Sequence, residues 1–338
     1  MKQLDVTILL LNDCFVSTAL APIEVFHSAG RLWNELTNNT IAPRFRVTVA
    51  SLDGLEVESP YSVRLSPEVS IESVKHANII VVPASGVKLD AQFARHAALF
   101  PWLQSWHDRG AYIASICSGA AYLAEAGLLD GHEATTHWGT ADAFMERYPR
   151  VKWRPDVLVT EDRRMLCSGG VYAAIDLSLY LVEKFCGHEI AVQTAKALLV
   201  DMPRTNQSGY AVLPLSKPHQ DDKIREAELF IQKNFSRQMS IENLAERVNM
   251  SPRTFIRRFK EATGRLPGKY LQVFRISIAK EMLENGARSV QMVSSAVGYE
   301  DVAYFRALFK RLTGMAPAQY RAKFCGVRST DGCATSES

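Results

Sequence analysis

Cys117 lies at a junction where a cysteine can act as a nucleophile. The segment AYIASICSGAAYLAEAGLLDG predicts a buried strand that ends at Cys117 and a helix that begins with Ser118 and Gly119. A thiol at a helix N-terminus lies near the positive end of the helix dipole, which lowers the pKa of the thiol and favours the thiolate. Gly119 and Ala120 are small enough to permit a sharp turn. This pattern predicts a reactive cysteine on a strand–helix elbow.

His137 is the candidate partner of this cysteine. It lies in the segment ATTHW, where it ends a predicted strand twenty residues further along the chain. Ser85 and Gly86 follow another predicted strand, in NIIVVPASG. Because ligands of open α/β sheets bind outside the carboxyl ends of the strands, we expect one pocket at this edge. The candidate ligand-binding residues are Ser85, Gly86, Cys117, Ser118 and His137.

Three roles for Cys117 are open. Its small side chain can serve the tight packing of the elbow, it can contact a bound metabolite, or it can carry out turnover. His137 can be a hydrogen-bonded structural residue or a ligand contact. A cysteine without an adjacent base or an orienting acid lacks the usual activation of a nucleophile. We therefore expect that the protein is not an enzyme and has no catalytic residue, and we treat Cys117 as a vestigial nucleophile.

The strongest pattern is a repeat of fifty residues in the last third of the chain. Each copy predicts a short helix, a turn and a second helix with apolar residues four apart, which is the layout of a helix-turn-helix motif. The matching positions are Phe255, Phe259, Lys260, Thr263, Gly264, Pro267 and Tyr270 in the first copy and Phe305, Phe309, Lys310, Thr313, Gly314, Pro317 and Tyr320 in the second. The preceding helices match at forty-nine residues, so the second copy has one more residue in its turn.

Basic residues recur beside the same aromatic residues. In SPRTFIRRFKEAT the two Phe side chains are predicted to face inward, while Arg253, Arg257 and Lys260 lie on faces that can meet DNA. In DVAYFRALFKRLT the corresponding face holds Arg306 and Lys310. A helical repeat for protein contacts is the alternative, but it does not explain why the charges repeat with the aromatic residues. The repeat therefore predicts two recognition helices.

The region from Asp221 to Lys323 resembles the DNA-binding domain of the AraC/XylS family. The family's signature is matched by Gly298, Tyr299, Phe305, Phe309, Lys310, Gly314, Pro317, Tyr320 and Arg321. The resemblance implies seven helices, with two recognition helices that enter successive major grooves on one face of the DNA. The candidate DNA contacts are Arg253, Thr254, Ile256, Arg257, Arg258 and Lys260 in the first copy and Val302, Ala303, Arg306 and Lys310 in the second.

The two copies are predicted to read DNA unequally. Arg253 and Arg257 can form bidentate bonds with guanine, whereas Val302 and Ala303 can touch only a thymine methyl group or a sugar. We therefore expect the first copy to specify the DNA sequence more strongly. The residues assigned to phosphates, which position a protein without reading sequence, are Arg258, Lys260 and Lys310.

The first two hundred residues are similar to the PfpI-like branch of the class I glutamine amidotransferase superfamily. The matching positions are Cys117, Gly119, the AGLLDG run over 126–131, Thr135, Thr136 and His137. The resemblance implies a flavodoxin-like parallel sheet covered by helices. Two departures concern the site. PfpI proteases have His directly after the nucleophile, where this sequence has Ser118, and hydrolase-like relatives have a carboxylate where the nearest residue here is Thr18.

The elements that position these residues fall into two domains. Short β-rich runs alternate with helical stretches over residues 1–203, which predicts a parallel sheet with helices on both faces. The predicted strands are 6–11, 46–50, 78–82, 112–116 and 134–136, with a hairpin near 161–164, and the predicted helices include 22–36, 118–126, 171–185 and 189–200. Residues 204–220 predict a linker, residues 221–325 an all-helical DNA-binding domain, and residues 326–338 a loose tail.

Composition and charge agree with this division. The length of 338 residues is more than twice the usual roughly 150 residues per domain. A hydrophobic content of 47% and a charged content of 22% exclude a disordered chain. The formal net charge of +3 alone argues against nucleic-acid binding. However, residues 221–325 hold 19 Lys/Arg and 11 Asp/Glu, whereas residues 1–220 hold 19 and 23, so the positive charge is concentrated in the predicted DNA-binding domain.

Cysteine spacing and apolar runs indicate the compartment. The six cysteines show no CxxC pair and no spacing that suits zinc, which predicts reduced thiols and no metal site. The apolar run over residues 6–11 is far shorter than the ~20 residues that span a bilayer. We expect a soluble cytoplasmic protein that contacts no membrane.

Together these patterns predict a sequence-specific DNA-binding transcriptional regulator whose N-terminal domain senses a small metabolite. The domain order resembles that of GlxA-like regulators, which implies an activator and an effector among amino acids or quaternary amines. The expected partners are double-stranded promoter DNA, the small-molecule effector, RNA polymerase and a second copy bound through the N-terminal domain, with no cofactor. The alternative is a cysteine-dependent hydrolase or amidase tethered to DNA.

Overall fold

The chain divides into two units, the first ending at Gln207 and the second beginning at Ser208. The computed structural model describes residues 3–86, 89–211, 219–286 and 289–325. Of the predicted linker, residues 204–207 belong to the first unit and residues 208–211 to the second. Residues 212–218 of that linker and the predicted tail 326–338 lie outside the described residues.

Parallel strands form the main sheet of the first unit. The strands of the whole unit, within its described residues, are β1 (Leu4–Leu9), β2 (Phe45–Ser51), β3 (Val57–Glu58), β4 (Arg64–Leu65), β5 (Val69–Ser70), β6 (Ile79–Val82), β7 (Tyr112–Ile116), β8 (Glu133–Ala134), β9 (Lys152–Trp153), β10 (Val159–Asp162) and β11 (Met165–Ser168). Seven of them pair in the order β10-β11-β7-β6-β1-β2-β5. All neighbours in this sheet are parallel except β10 and β11, which form the predicted hairpin.

Helices cover both faces of this sheet. They are α1 (Ser17–Ser28), α2 (Leu32–Leu36), α3 (Leu89–Arg95), α4 (Leu99–Asp108), α5 (Ala120–Glu125), α6 (Ala141–Arg147), α7 (Ala173–Cys186) and α8 (His188–Leu198). One apolar core contains Leu103 and Tyr122, and the other contains Phe26 and Leu177. The central strand β6 is buried along its whole length, as expected for a parallel sheet covered on both sides. The predicted α/β fold class is confirmed.

The prediction of one helix over residues 22–36 is wrong. Helix α1 ends at Ser28, and α2 begins only at Leu32. Gly30 between them has a φ of 74°, which is left-handed backbone, and a Cβ at this position would lie 2.2 Å from the carbonyl oxygen of Ala42. The chain therefore turns at a position that only glycine fits.

The predicted strand over residues 134–136 is also shorter than expected. Only Glu133–Ala134 is extended, and it pairs with β9 outside the main sheet. Thr135 and Thr136 are fully buried and are held by side-chain hydrogen bonds instead.

Seven helices form the second unit within its described residues. They are α9 (Asp222–Lys233), α10 (Ile241–Arg247), α11 (Pro252–Thr263), α12 (Pro267–Glu284), α13 (Val290–Ala296), α14 (Val302–Thr313) and α15 (Pro317–Phe324). Serine side chains cap three of these helices: Ser240, Ser251 and Ser289 each accept a backbone N–H three residues further on. No helix in the described part of the chain is both long and apolar enough to cross a membrane.

The repeat builds two small cores, one for each motif. Phe255, Phe259 and Tyr270 are fully buried in the first core. Their counterparts Phe305, Phe309 and Tyr320 occupy the second. The long helix α12 contributes residues to both cores and connects the two subdomains.

Candidate functional site

Cys117 occupies the predicted elbow between β7 and α5. A single 3-10 turn, Cys117–Gly119, joins the strand to the helix. The φ of Cys117 is 55°, a conformation that residues other than glycine rarely adopt. Gly119 is required because a Cβ at this position would lie 2.7 Å from the carbonyl oxygens of both Val82 and Pro83.

The thiol of Cys117 is not activated. Burial raises the pKa of this thiol to about 11, although the backbone N–H of Ser118 lowers it. The prediction that the helix N-terminus favours the thiolate is therefore wrong. Desolvation of a nearly fully buried charge outweighs the dipole of α5, which has only 6 residues. At neutral pH Cys117 is a neutral thiol.

Hydrogen bonds connect the elbow to its neighbouring loops. The hydroxyl group of Ser118 donates to the carbonyl oxygen of Ser85 at 2.6 Å. The hydroxyl group of Thr136 donates to the carbonyl oxygen of Cys117 at 3.0 Å. Beside Ser85, a Cβ on Gly86 would make ordinary van der Waals contact with the carbonyl oxygen of Asp13 at 3.8 Å. The structure thus brings Ser85, Cys117 and Ser118 together at the carboxyl ends of β6 and β7.

Thr18, which is nearest to the position of the carboxylate in hydrolase-like relatives, is held by hydrogen bonds to the backbone. Thr18 is fully buried, and its hydroxyl group donates to the carbonyl oxygen of Phe15 at 2.6 Å. The same oxygen accepts the backbone N–H of Ala84 at 3.0 Å. Thr18 therefore ties helix α1 to the end of β6 and offers no base to Cys117.

His137 lies close to the elbow without pairing with its thiol. The Nδ1 atom of His137 accepts the backbone N–H of Gly139 at 2.9 Å. Burial lowers the pKa of His137, so the neutral ring carries its proton on Nε2. No hydrogen bond found among the described residues joins the His137 ring to Cys117. Its neighbour Thr136 does bond to the elbow, through the carbonyl oxygen of Cys117.

Further polar side chains follow β1 and β6, and sequence reasoning missed them. The side-chain amide of Gln92 donates to the carboxylate of Asp13 at 2.6 Å. Nδ1 of His96 pairs with the hydroxyl group of Tyr122 at 3.0 Å. Burial lowers the pKa of His96 to about 4, which keeps this ring neutral. The strand order reverses direction beside β1, and crevices at such reversal points bind ligands in open α/β sheets.

Gln207 is the second residue that the sequence did not reveal. It is 2% exposed, and its side-chain amide donates to the hydroxyl group of Thr135 at 3.1 Å and to the carbonyl oxygen of Thr136 at 2.8 Å. A Cβ on Gly169 would lie 2.5 Å from the Gln207 carbonyl oxygen, so glycine makes room for it. The side chain of Gln207 is therefore buried against Thr135, Thr136 and Gly169, next to the elbow.

Arg204 holds the same segment in place. Its guanidinium group contacts the carboxylate of Asp176 at 2.6 and 3.1 Å, and its backbone N–H donates to the same carboxylate at 2.7 Å. Asp176 lies on α7 and is only 5% exposed. Residues 204–207, which we call the strap, are thus fixed to the first unit at both ends.

The first recognition helix, α11, presents a basic face. Arg253, Arg257 and Lys260 are exposed, whereas Ile256 is half-buried. Thr254 takes part in the helix cap, where it receives a hydrogen bond from Ser251 at 2.9 Å. Arg257 pairs with Glu261 one turn further on at 2.9 Å, and both side chains are largely exposed.

Arg258 has a different role from the one predicted. Its guanidinium group donates to both carboxylate oxygens of Asp221, at 2.8 and 3.0 Å. Asp221 also caps α9 by accepting the N–H of Ile224 at 3.2 Å. This pair fastens α9 to α11, so it removes the reason to assign Arg258 to a phosphate.

The second recognition helix, α14, presents fewer polar groups that can read bases. Ala303, Arg306 and Lys310 are exposed, while Val302 is half-buried at the first position of the helix. Tyr304, which sequence reasoning missed, is 46% exposed, and its hydroxyl oxygen accepts the side-chain amide of Gln272 at 3.2 Å. The repeat does not predict an exposed aromatic residue beside Ala303, because Thr254 occupies the matching position in the first copy.

The comparison with known families decides the assignment of the first unit. Residues 9–184, more than half of the chain, match the model of the DJ-1/PfpI family. The chain belongs to the DJ-1/PfpI family. Residues 244–323 match a second family model, described as a helix-turn-helix domain. This match covers both recognition helices.

Curated relatives carry both parts. The chain is 27% identical over 319 residues to the HTH-type transcriptional regulator CdhR of Pseudomonas aeruginosa, covering 94% of this chain and 91% of that protein. It is 28% identical over 282 residues to the HTH-type transcriptional regulator GlxA of Rhizobium meliloti, covering 82% of each.

Solved structures resemble the first unit in fold. Drosophila melanogaster DJ-1beta matches with 22% identity and a TM-score of 0.50, covering 59% of this chain and 100% of that one. A putative transcriptional regulator from Vibrio parahaemolyticus matches with 22% identity and a TM-score of 0.51, covering 58% and 100%.

The two units together identify the function class. A DJ-1/PfpI unit precedes an AraC-type helix-turn-helix unit, and the relatives with both are transcriptional regulators. This DJ-1/PfpI member is a DNA-binding transcriptional regulator. This finding favours the regulator over the DNA-tethered hydrolase.

Proposed function

We propose that the first unit binds a small metabolite at the Cys117 elbow and that this binding changes how the second unit engages promoter DNA. The observation that supports this proposal is the position of the strap, residues 204–207. Gln207 is buried behind the elbow, and it is the last residue before the second unit begins. A ligand that shifts Thr135 or Thr136 must also shift Gln207.

The chemistry of the elbow supports binding over turnover. Cys117 is a neutral thiol at physiological pH because burial raises its pKa to about 11. Thr18 is committed to backbone hydrogen bonds, and Nδ1 of His137 accepts the N–H of Gly139. A nucleophile without a base contributes little to hydrolysis. We therefore treat Cys117 as a vestigial nucleophile that contacts the effector, together with Ser85, Gly86, Ser118 and His137.

The remaining parts of the proposal concern partners and location. The resemblance to GlxA-like regulators supports transcriptional activation, an RNA polymerase contact, a homodimer through the first unit and an effector among amino acids or quaternary amines. DNA binding supports a cytoplasmic location, where a bacterial promoter lies. The DNA contacts would be Arg253, Ile256, Arg257, Lys260, Val302, Ala303, Arg306 and Lys310, with Thr254 in a lesser role.

A thermal-shift screen of the full chain tests the sensor. Amino acids and quaternary amines are added one at a time, and each hit is then tested for its effect on binding to a DNA duplex that the protein selects from a random pool. A ligand that binds only the folded state at 100 times its Kd adds about 2.7 kcal/mol to the free energy of unfolding. We expect at least one hit that also changes DNA affinity. Hits that leave DNA affinity unchanged would contradict the proposal.

The variant Gln207→Ala tests the strap. We expect it to keep the thermal shift with the hit but to lose the change in DNA affinity. Gln193→Ala is the matched control, because the side-chain amide of Gln193 bonds to Glu189 on its own helix at 3.2 Å. It should keep both responses. A Gln207→Ala variant that keeps both would remove the strap from the proposed route.

Alkylation distinguishes the hydrolase alternative. Peptide mass spectrometry follows the reaction of Cys117 with iodoacetamide, and Cys117→Ser provides the background. We expect a slow reaction at pH 7 whose rate rises steadily with pH and levels off only near pH 11, since the thiolate is the reacting form. A rate that has already levelled off by pH 7 would support an activated nucleophile and the hydrolase.

A further inference from the structure

Arg275 on α12 connects the two helix-turn-helix subdomains. The first subdomain comprises α9–α11 and the second α13–α15. Arg275 is only 8% exposed, and its guanidinium group donates to the carbonyl oxygens of Phe235 at 2.7 Å, Arg237 at 2.9 Å and Gly298 at 3.1 Å. Phe235 and Arg237 lie in the loop that leads into the first motif, whereas Gly298 lies in the turn of the second. One side chain therefore binds backbone from both subdomains.

The two backbone segments also touch each other directly. A Cβ on Gly298 would lie 2.3 Å from the carbonyl oxygen of Ser236, and the φ of Gly298 is 84°. The turn of the second motif thus approaches the loop of the first as closely as backbone allows. Gly298 is needed both for its left-handed conformation and for this approach.

The chemistry of the guanidinium group makes this contact rigid. Arginine carries five N–H donors in a planar fork, so three bonds from one group fix the positions of three carbonyl oxygens relative to each other. These three acceptors of Arg275 are neutral backbone groups, which do not move as free side chains do. A lysine ammonium is a single point on a flexible stem and does not reproduce this fork.

A second buried cation on the same helix provides a contrast. Lys280 is also 8% exposed, and it donates to the carbonyl oxygen of Ala211 at 2.6 Å. Its side chain also lies 5.4 Å from the ring centroid of Tyr320 in the second subdomain. Lys280 therefore shares the burial and charge of Arg275 without joining the two motifs.

We propose that Arg275 sets the separation of the two recognition helices and thereby determines which spacing between two DNA half-sites the protein accepts. Arg275 is a positioning residue, since it is buried and acts through the backbone groups that it binds. The inference rests on the assigned DNA binding by both motifs. Inserting one base pair moves a half-site by about 3.4 Å along the DNA axis and rotates it by about 35°. A rigid pair of motifs cannot follow such a change, whereas a loosened pair can.

Selection from a random duplex pool tests this proposal with the full chain. Wild type, Arg275→Lys, Arg275→Gln and the control Lys280→Met are each incubated with duplexes of 30 random base pairs, using about 30 as roughly three helical turns. Bound duplexes are sequenced, and the distance between the two enriched half-site motifs is counted. Thermal melting checks that each variant is folded. Arg275→Gln keeps the test available if Arg275→Lys does not fold.

The outcomes separate this inference from DNA binding itself. We expect wild type and Lys280→Met to enrich one spacing, and a folded Arg275 variant to enrich the same two half-sites over at least two adjacent spacings. A folded Arg275 variant that keeps the single wild-type spacing would overturn the proposal, as would equal broadening in Lys280→Met. Failure of the wild type to enrich any sequence would instead contradict sequence-specific DNA binding.

Discussion

The two helix-turn-helix motifs share a scaffold but differ on the exposed surface of the second helix, which we propose faces DNA. Phe259 packs edge-on against Tyr270 with ring centroids 5.3 Å apart, and Phe309 packs against Tyr320 in the same way at 5.4 Å. In contrast, the exposed face of α11 offers arginine where α14 offers alanine. The comparison shows that the residues that stabilise the fold differ from the exposed residues available to contact bases, although both sets lie on the same helix. The two copies share the first set and differ in the second.

The exposed sets predict a division of labour. Arg253 and Arg257 can form bidentate bonds with guanine, so α11 can discriminate among bases. On α14, Ala303 offers only a methyl group, while Arg306 and Lys310 supply charge. We infer that the first motif reads the sequence and that the second mainly anchors the protein on the backbone.

The largest expected effect tests the shared scaffold. Phe259→Ala and Phe309→Ala should each lower the free energy of unfolding of the second unit by about 3–5 kcal/mol, because each removes a fully buried aromatic ring. Urea denaturation followed by circular dichroism measures this loss. Losses that differ by more than about 2 kcal/mol would show that the two cores are not equivalent.

The next effect tests base reading by the first motif. Arg257→Ala should cost about 1–3 kcal/mol on the selected operator and relax the preference at one base position, because it removes one bidentate contact. Fluorescence anisotropy with single-base operator variants measures both quantities. Arg306→Ala removes an exposed arginine from the second recognition helix and should relax specificity less. An equal loss on specific and random DNA would remove Arg257 from the base-reading residues.

A smaller effect tests anchoring by the second motif. Lys310→Ala should weaken binding to all sequences alike and reduce the slope of log K against log salt by about 1, since one phosphate contact is lost. The measurement is a salt titration on operator and random duplexes. A loss confined to the operator would indicate that Lys310 reads bases.

The smallest effect concerns the ion pair on α11. Glu261→Gln should raise DNA affinity by about twofold, because an exposed pair one helical turn apart is worth only about 0.3–0.5 kcal/mol and Arg257 must leave it to reach a base. In the background of Arg257→Ala, the same substitution should have a smaller effect. Additive effects in the double variant would show that this ion pair does not restrain Arg257.

The repeat could be predicted from the sequence because its signals are local. The serine caps, the glycine C-caps and the phenylalanines four residues apart each act within one or two helical turns. Arg258 shows the limit of this reasoning. Its side chain looks available for a phosphate in the sequence, but it pairs with Asp221, which lies 37 residues earlier. Such a distant partner leaves no trace in a local pattern.

The elbow shows the same limit when the chemistry of a site is predicted from the sequence. Its position follows from a strand, a cysteine and a glycine in sequence, and the structure has the elbow there. The protonation state of Cys117 does not follow, since it depends on burial by distant elements. Gln207 was hidden for a similar reason: it lies in a stretch with linker composition, yet its amide bonds to Thr135, 72 residues earlier.

Scrambling the half-sites one at a time tests the central claim most directly. The selected operator is made in two forms, each with one half-site randomised, and Arg257→Ala identifies which half-site the first motif reads. Competition binding with the full chain then gives both affinities. We predict that scrambling the half-site of the first motif costs about 1.4 kcal/mol more, or roughly tenfold in affinity, than scrambling the other. Equal losses, or a larger loss at the second half-site, would contradict the division between reading and anchoring.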